Sequence, residues 1–182
     1  MRVGLALAVL LGSACGATGP RPSGAPLGDR LDRLSRDLFA SLASGDPARV
    51  RALQAPDGSL EDLFEPQYVD IVLMDRRMDS SGADRVAEQW LPLAGSRYAG
   101  YCARGVGPGT STLPGLESRV SSIAELVIVA RDAAGVWAGV LRDLVEDRGS
   151  YRLVRWTIEA PRRDHFELEQ WSCDFGRRDG TF

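Results

Sequence analysis

Leu27, Leu31, Leu34, Leu38 and Leu42 recur at steps of four and three residues, with Arg30, Arg33, Arg36 and Asp37 between them. That spacing puts the leucines on one face of a helix and predicts an amphipathic first element. Gly45 predicts its C-terminal stop, and Asp46-Pro47 predicts a restart with an N-cap and a first-turn proline. Val50 and Leu53 give the short second helix its buried side. Pro56-Asp57-Gly58 predicts a turn, and Ser59 with Asp62 predicts a capping box for a further turn of helix through Phe64. Tyr68 to Met74 is a short apolar run whose β-branched content favours a strand over a buried helix. Ala83 to Leu91 predicts a helix with Val86, Ala87, Trp90 and Leu91 on one face, ended by Pro92.

The second half changes period. Arg97 to Ala103 predicts a strand carrying Tyr98, Tyr101 and Cys102, and Gly105 to Gly115 reads as a Gly/Pro/Thr-rich loop. Ile123–Arg131, Val136–Glu146 and Tyr151–Glu159 are runs of strong β formers, separated by the turns Asp132-Ala133-Ala134-Gly135 and Asp147-Arg148-Gly149-Ser150. They predict an antiparallel meander. In its third strand Val154, Trp156 and Ile158 alternate with Arg155, Thr157 and Glu159, the pattern of a sheet with one packed face. His165 to Cys173 is expected to add a strand after Pro161. Helices followed by an antiparallel sheet give an α+β domain.

Two pieces of this layout resemble the nuclear-transport-factor-2-like (SnoaL-like) family. They are Leu42-Ala43-Ser44-Gly45-Asp46-Pro47, which closes the first helix, and the run Asp143 to Glu159 with its Val154-Arg155-Trp156. The resemblance implies N-terminal helices packed on a curved antiparallel sheet, enclosing a conical pocket. Enzymes of that family use Asp, Tyr or His inside the cone, but no motif of this chain maps onto those residues.

The N-terminus has its own pattern. Met1-Arg2 is followed by the apolar run Val3 to Leu11 and by Gly12-Ser13-Ala14-Cys15. These are the three regions of a secretory signal, and at ~1.5 Å per residue the run is too short to cross a bilayer as a helix. Leu11 to Cys15 resembles the lipobox of bacterial lipoproteins, departing from it in having Gly12 where that family prefers Leu. The resemblance implies lipidation of Cys15 and a tether to the membrane. Ordinary cleavage near Gly16 or Ala17 is the alternative. Three prolines and four glycines between Gly16 and Gly28 exclude helix and ladder and mark a linker. The expected organisation is a signal over residues 1–15, a tether over 16–28 and one domain over 29–182.

Composition narrows the function classes. Hydrophobic residues make up 44% and charged residues 26%, enough for a sizeable core. A net charge of −3 leaves no electrostatic footprint for nucleic acid. Every basic residue is an arginine, which reads as compositional bias. The one histidine, His165, reads as a surface residue, Gly109-Thr110-Ser111-Thr112-Leu113 lacks the second glycine of a nucleophile elbow, and Gly105 to Gly109 lacks the following helix of a phosphate loop. One His with cysteines at Cys15, Cys102 and Cys173 gives no metal-ligand spacing and no cofactor motif. If lipid consumes Cys15, Cys102 and Cys173 remain as a pair for a disulfide in an oxidising compartment.

Trp90, Tyr98, Trp137 and Trp156 fall on elements that would surround a pocket. Core filling is the first account of them, and a pocket for an apolar ligand is the alternative. The expectation is an exported lipoprotein of the outer membrane facing the periplasm, non-enzymatic, binding a small apolar ligand or a partner protein. A secreted enzyme with a buried Asp or Tyr and a pocketless interaction domain are the rivals, and a cavity between the first helices and the sheet would discriminate them.

Overall fold

The computed structural model describes residues 26–110, 118–163 and 172–176. The signal with Cys15, most of the tether, Ser111 to Glu117, His165 and Trp171 lie outside the described residues. α1 (Leu27–Leu42) buries Leu31, Leu38 and Leu42 as the leucine stripe requires, and it takes Leu27 and Gly28 from the expected tether. Gly45, at φ +65°, turns the chain out of α1. Asp46 then caps α2 (Pro47–Arg51), its carboxylate accepting the Ala48 N–H at 2.9 Å.

A 3₁₀ turn over Asp57–Ser59 runs straight into α3 (Leu60–Leu63). The expected capping box does not form. Ser59 is itself in helical conformation, and its hydroxyl donates back to the Pro56 carbonyl at 2.9 Å.

Tyr68 to Met74 is not a strand. It lies within α4 (Pro66–Met78), started by a proline in its first turn. The helix is apolar on two faces, which hid its period: Val69 and Val72 point inward, whereas Ile71, Met74 and Met78, at i, i+3 and i+7, are exposed. α5 (Gly82–Trp90) buries Ala83, Val86, Ala87 and Trp90 as expected.

Among the described residues the sheet has five strands in the order β4-β3-β2-β1-β5, all antiparallel. β1 (Arg97–Pro108) runs five residues beyond its expected end at Ala103, through the first part of the expected loop. It pairs there with β2 (Ser121–Asp132), and the Thr110 hydroxyl ties the far end to Ser122 at 2.9 Å. β3 (Gly135–Asp147) completes the central hairpin. β4 (Ser150–Leu153) covers only the start of the expected third strand. β5 (Phe175–Gly176) pairs with β1 at Cys102 and Ala103.

The short β4 has its cause in the neighbouring strands. Opposite Ala124 of β2 stand Gly105 on β1 and Asp143 on β3, both left-handed at φ +60° and +57°. The ladder skips Ala124 on both sides and resumes in the same register. At Asp143 the edge strand detaches. From the pair Leu144–Leu153 to the pair Leu141–Ile158, β3 advances three residues and the edge strand five. The two extra residues loop out Arg155 and Trp156, ending the alternation predicted for Tyr151–Glu159. The edge rejoins through Glu159 N–H to the Val140 carbonyl at 2.8 Å and through Arg162 to Ala138.

Among the described residues, three apolar clusters hold the elements. The main one joins α1, α2 and α5 to one face of β1–β3, with the Trp90 indole, 0% exposed, lying on Gly139. A second packs α3 and α4 on Val145 and Val154. The third lies on the other sheet face around Val127, Val140 and the Cys102–Cys173 disulfide, whose Cα atoms are 5.3 Å apart. That face also carries the ion-pair row Arg104–Glu125–Arg142–Glu159.

Leu38, 2% exposed, sits in the main cluster. Leu38→Ala is expected to cost ~2–5 kcal/mol in chemical denaturation, because the packed interface cannot fully close the cavity. Replacing both Cys102 and Cys173 by Ala opens a cross-link spanning 71 residues. It is expected to lower stability by up to about 4 kcal/mol on the chain-entropy argument. Unchanged unfolding midpoints would contradict either assignment.

Candidate functional site

The looped-out Arg155 and Trp156 border a cavity of about 360 Å³ against the C-terminal half of α4. Gln54, Asp75, Arg76, Met78, Asp79 and Thr157 complete its lining. Each is placed by backbone already described. Gln54 lies on the segment that covers the outer edge of β4, where Leu153 N–H donates to the Leu53 carbonyl and Ala55 N–H to the Leu153 carbonyl, both at 2.9 Å. Asp75, Arg76, Met78 and Asp79 come from the last turn of α4 and its exit.

Arg76 is the fastener. Its side chain is only 10% exposed, and it donates to the carbonyls of Val154 (3.0 and 2.9 Å) and Ala55 (2.8 Å) and to Asp57 (2.5 Å). The Val154 carbonyl, released from the ladder by the loop-out, is thereby satisfied. Arg155 reaches back to α4 and donates through Nη1 to Asp75 at 2.5 Å. Thr157 donates its hydroxyl to the Arg142 carbonyl at 2.8 Å. Asp79 accepts both forks of Arg85 at 2.7 and 2.6 Å, and that pairing holds its carboxyl below the usual range.

Two polar atoms at the cavity have no hydrogen-bond partner, Gln54 Nε2 and Arg155 Nε, although both are withdrawn from solvent. Beside them lie apolar surfaces. Trp156 packs against Gly82, and Met78 is 71% exposed, Met74 51% and Ile71 44%, in one stripe along α4. The result is a groove with an apolar wall, balanced charges and unused donors. Each carboxylate lining it is engaged by an arginine, Asp75 by Arg155 and Asp79 by Arg85.

The four aromatics singled out in the sequence do not converge. Trp156 lines this groove. Trp90 is enclosed in the main core with its Nε1 unpartnered. Trp137 sits at the β2–β3 hairpin, donating to Asp132 at 2.8 Å under the Arg163 guanidinium.

Tyr98 borders a separate, open cavity of about 580 Å³ with Arg97, Arg131 and Asp132. Its hydroxyl donates to Asp32 at 2.9 Å, and the Arg36 guanidinium stacks on its ring. Burial, and next the bond to Asp32, raise the Tyr98 hydroxyl above its ordinary value, so it keeps the proton it donates to Asp32.

The sequence reading missed Gln54, Met74, Asp75, Arg76, Met78 and Arg155. The available signal was that the apolar run continues to Met78, a spacing that gives a helix two apolar faces.

Among the described residues, no group of three or more His, Cys, Asp or Glu side chains gathers as a metal site, and no helix is long and apolar enough to cross a membrane. Comparison of the chain with protein-family models, with curated proteins and with solved structures finds no match.

A Cβ added at Gly82 would lie 1.9 Å from the Trp156 indole. Gly82→Ala is expected to drive Trp156 from its seat at an overpacking cost of roughly 1–3 kcal/mol. A changed Trp156 indole N–H resonance and a lowered unfolding midpoint are the readouts. An unmoved resonance would contradict the contact.

Proposed function

We propose that this chain is an exported, membrane-tethered binding domain that receives its partner in the groove between α4 and the Arg155-Trp156 loop-out. The observation that carries this reading is the exposed stripe Ile71, Met74 and Met78 running into the cavity beside Trp156. Exposed apolar side chains aligned on one helix face and bordered by a concave polar site mark a contact surface. Methionine suits such a surface, because its unbranched thioether adapts to varied shapes.

Export is supported by the Cys102–Cys173 disulfide, which fits an oxidising compartment, and by the signal-like N-terminus. Cys15 is the proposed anchor, with the domain facing the periplasm from the outer membrane. We also read the architecture as a variant of the nuclear-transport-factor-2-like cone. The backbone turns at Gly105 and Asp143 and the helices packed on one sheet face support that reading. In this variant Trp90 and its neighbours fill the space over Gly139, and the binding surface has moved to the sheet edge.

Two outcomes are expected. The neutral dye Nile red should bind the full chain near one-to-one, and the double variant Met74→Glu, Met78→Glu should abolish binding while leaving the unfolding midpoint within about 0.5 kcal/mol of its original stability. Undiminished dye binding in the variant would place the contact surface elsewhere. In bacterial cells the full chain should fractionate with membranes, and Cys15→Ala should release it or block its processing. An unmodified N-terminus at Gly16 or beyond, read by mass spectrometry, would refute the anchor.

A further inference from the structure

We infer that the groove takes an uncharged, extended peptide segment of a partner protein, laying apolar side chains along Ile71, Met74 and Met78 and presenting one backbone carbonyl to Gln54 and Arg155. The inference rests on the groove being the binding surface and names what it recognises.

Three observations select this occupant. The first is the pair of donors. Gln54 Nε2 and Arg155 Nε are shielded from water and unpartnered, a condition that costs stability until an acceptor arrives. No side-chain hydrogen bond holds Gln54 among the described residues, so its amide turns toward an incoming carbonyl without breaking one.

The second is charge. Arg76, Arg85 and Arg155 are neutralised by Asp57, Asp79 and Asp75 at 2.5 to 2.7 Å. Among the residues lining the cavity a ligand carboxylate would find no unmatched cation, and it would face Asp75 and Asp79 as well. A ligand ammonium would face three occupied carboxylates. A neutral acceptor uses the free donors and meets no repulsion.

The third is length. From Ile71 to Met78 the helix rises about 10 Å at ~1.5 Å per residue, the span of three residues of extended chain at ~3.3 Å each. One small molecule seated at the cavity would leave the far end of that stripe uncovered.

The chain contains 3 methionines, two of them on the groove, so methionine methyl NMR reports on the site directly. The full chain, labelled with ¹³C in the methionine methyl groups, is titrated with uncharged N-acetyl-leucyl-leucine methylamide, with its free acid N-acetyl-leucyl-leucine, and with N-methylacetamide. The methylamide is expected to shift the Met74 and Met78 signals, and the free acid and N-methylacetamide to bind several-fold more weakly. Gln54→Met and Gln54→Ala should each weaken the methylamide roughly five- to tenfold, the loss of one hydrogen bond, while the methyl signals of the free variants stay in place.

Tighter binding of the acid would make this an anion site. Equal binding of N-methylacetamide would make it a small-amide pocket, and unaltered affinity in both Gln54 variants would remove the carbonyl contact. Each of these overturns the peptide inference and leaves the groove as a binding surface. If neither the peptides nor Nile red move the Met74 and Met78 signals, the binding reading of the groove falls too.

Discussion

Ala124 stands between two left-handed residues, Gly105 on one neighbouring strand and Asp143 on the other. Beside it on β1 there is no room for a side chain, since a Cβ at Gly105 would lie 2.7 Å from that of Ala124. On the β1 side glycine adopts this conformation without penalty. On the β3 side an aspartate adopts it, which few side chains do as readily. That single backbone turn has a chain of consequences. The edge strand cannot follow β3 through it and loops out Arg155 and Trp156. The Val154 carbonyl leaves the ladder, and Arg76 of α4 captures it. The helix layer and the sheet edge are thereby fastened together with a cavity left between them.

The rest of the molecule keeps this arrangement rigid from both sides. Trp90 on Gly139 fills the interface between helices and sheet. On the other face the Cys102–Cys173 bond fixes the short β5 to β1, and the Asp174 carboxylate accepts the Gly105 N–H at 2.7 Å beside the bend. The β1 side of the bend is therefore bonded from outside. On the β3 side the Val154 N–H donates to the Asp143 carbonyl at 3.4 Å, and the edge continues through Ile158 and Arg162.

What was legible in the sequence follows from how local each signal is. The α1 stripe, the Asp46-Pro47 cap and the β2–β3 hairpin are written in spacing and turn chemistry, and they fold as written. The disulfide pair was reached by counting cysteines. α4 was misread because apolar residues on both its faces erase the helical period, and the outward face is the one that forms the groove. The break after Leu153 left no local trace, since Val154 to Glu159 alternates like a regular strand. It is imposed by Asp143, ten residues away and on another strand. Gln54 and Arg155 look like ordinary surface residues until tertiary structure buries their donors and leaves them unpartnered.

The left-handed backbone at Asp143 is therefore what holds Trp156 out of the ladder. The most direct measurement is the nuclear Overhauser contact between the Trp156 indole and the Gly82 Hα protons, in Asp143→Gly and in Asp143→Val. Glycine keeps the left-handed state accessible, whereas a β-branched residue disfavours it. The contact should persist in Asp143→Gly and vanish in Asp143→Val, together with the separate Met74 and Met78 signals of the intact groove. Its persistence at full strength in folded Asp143→Val, or its loss in both variants, would contradict the claim.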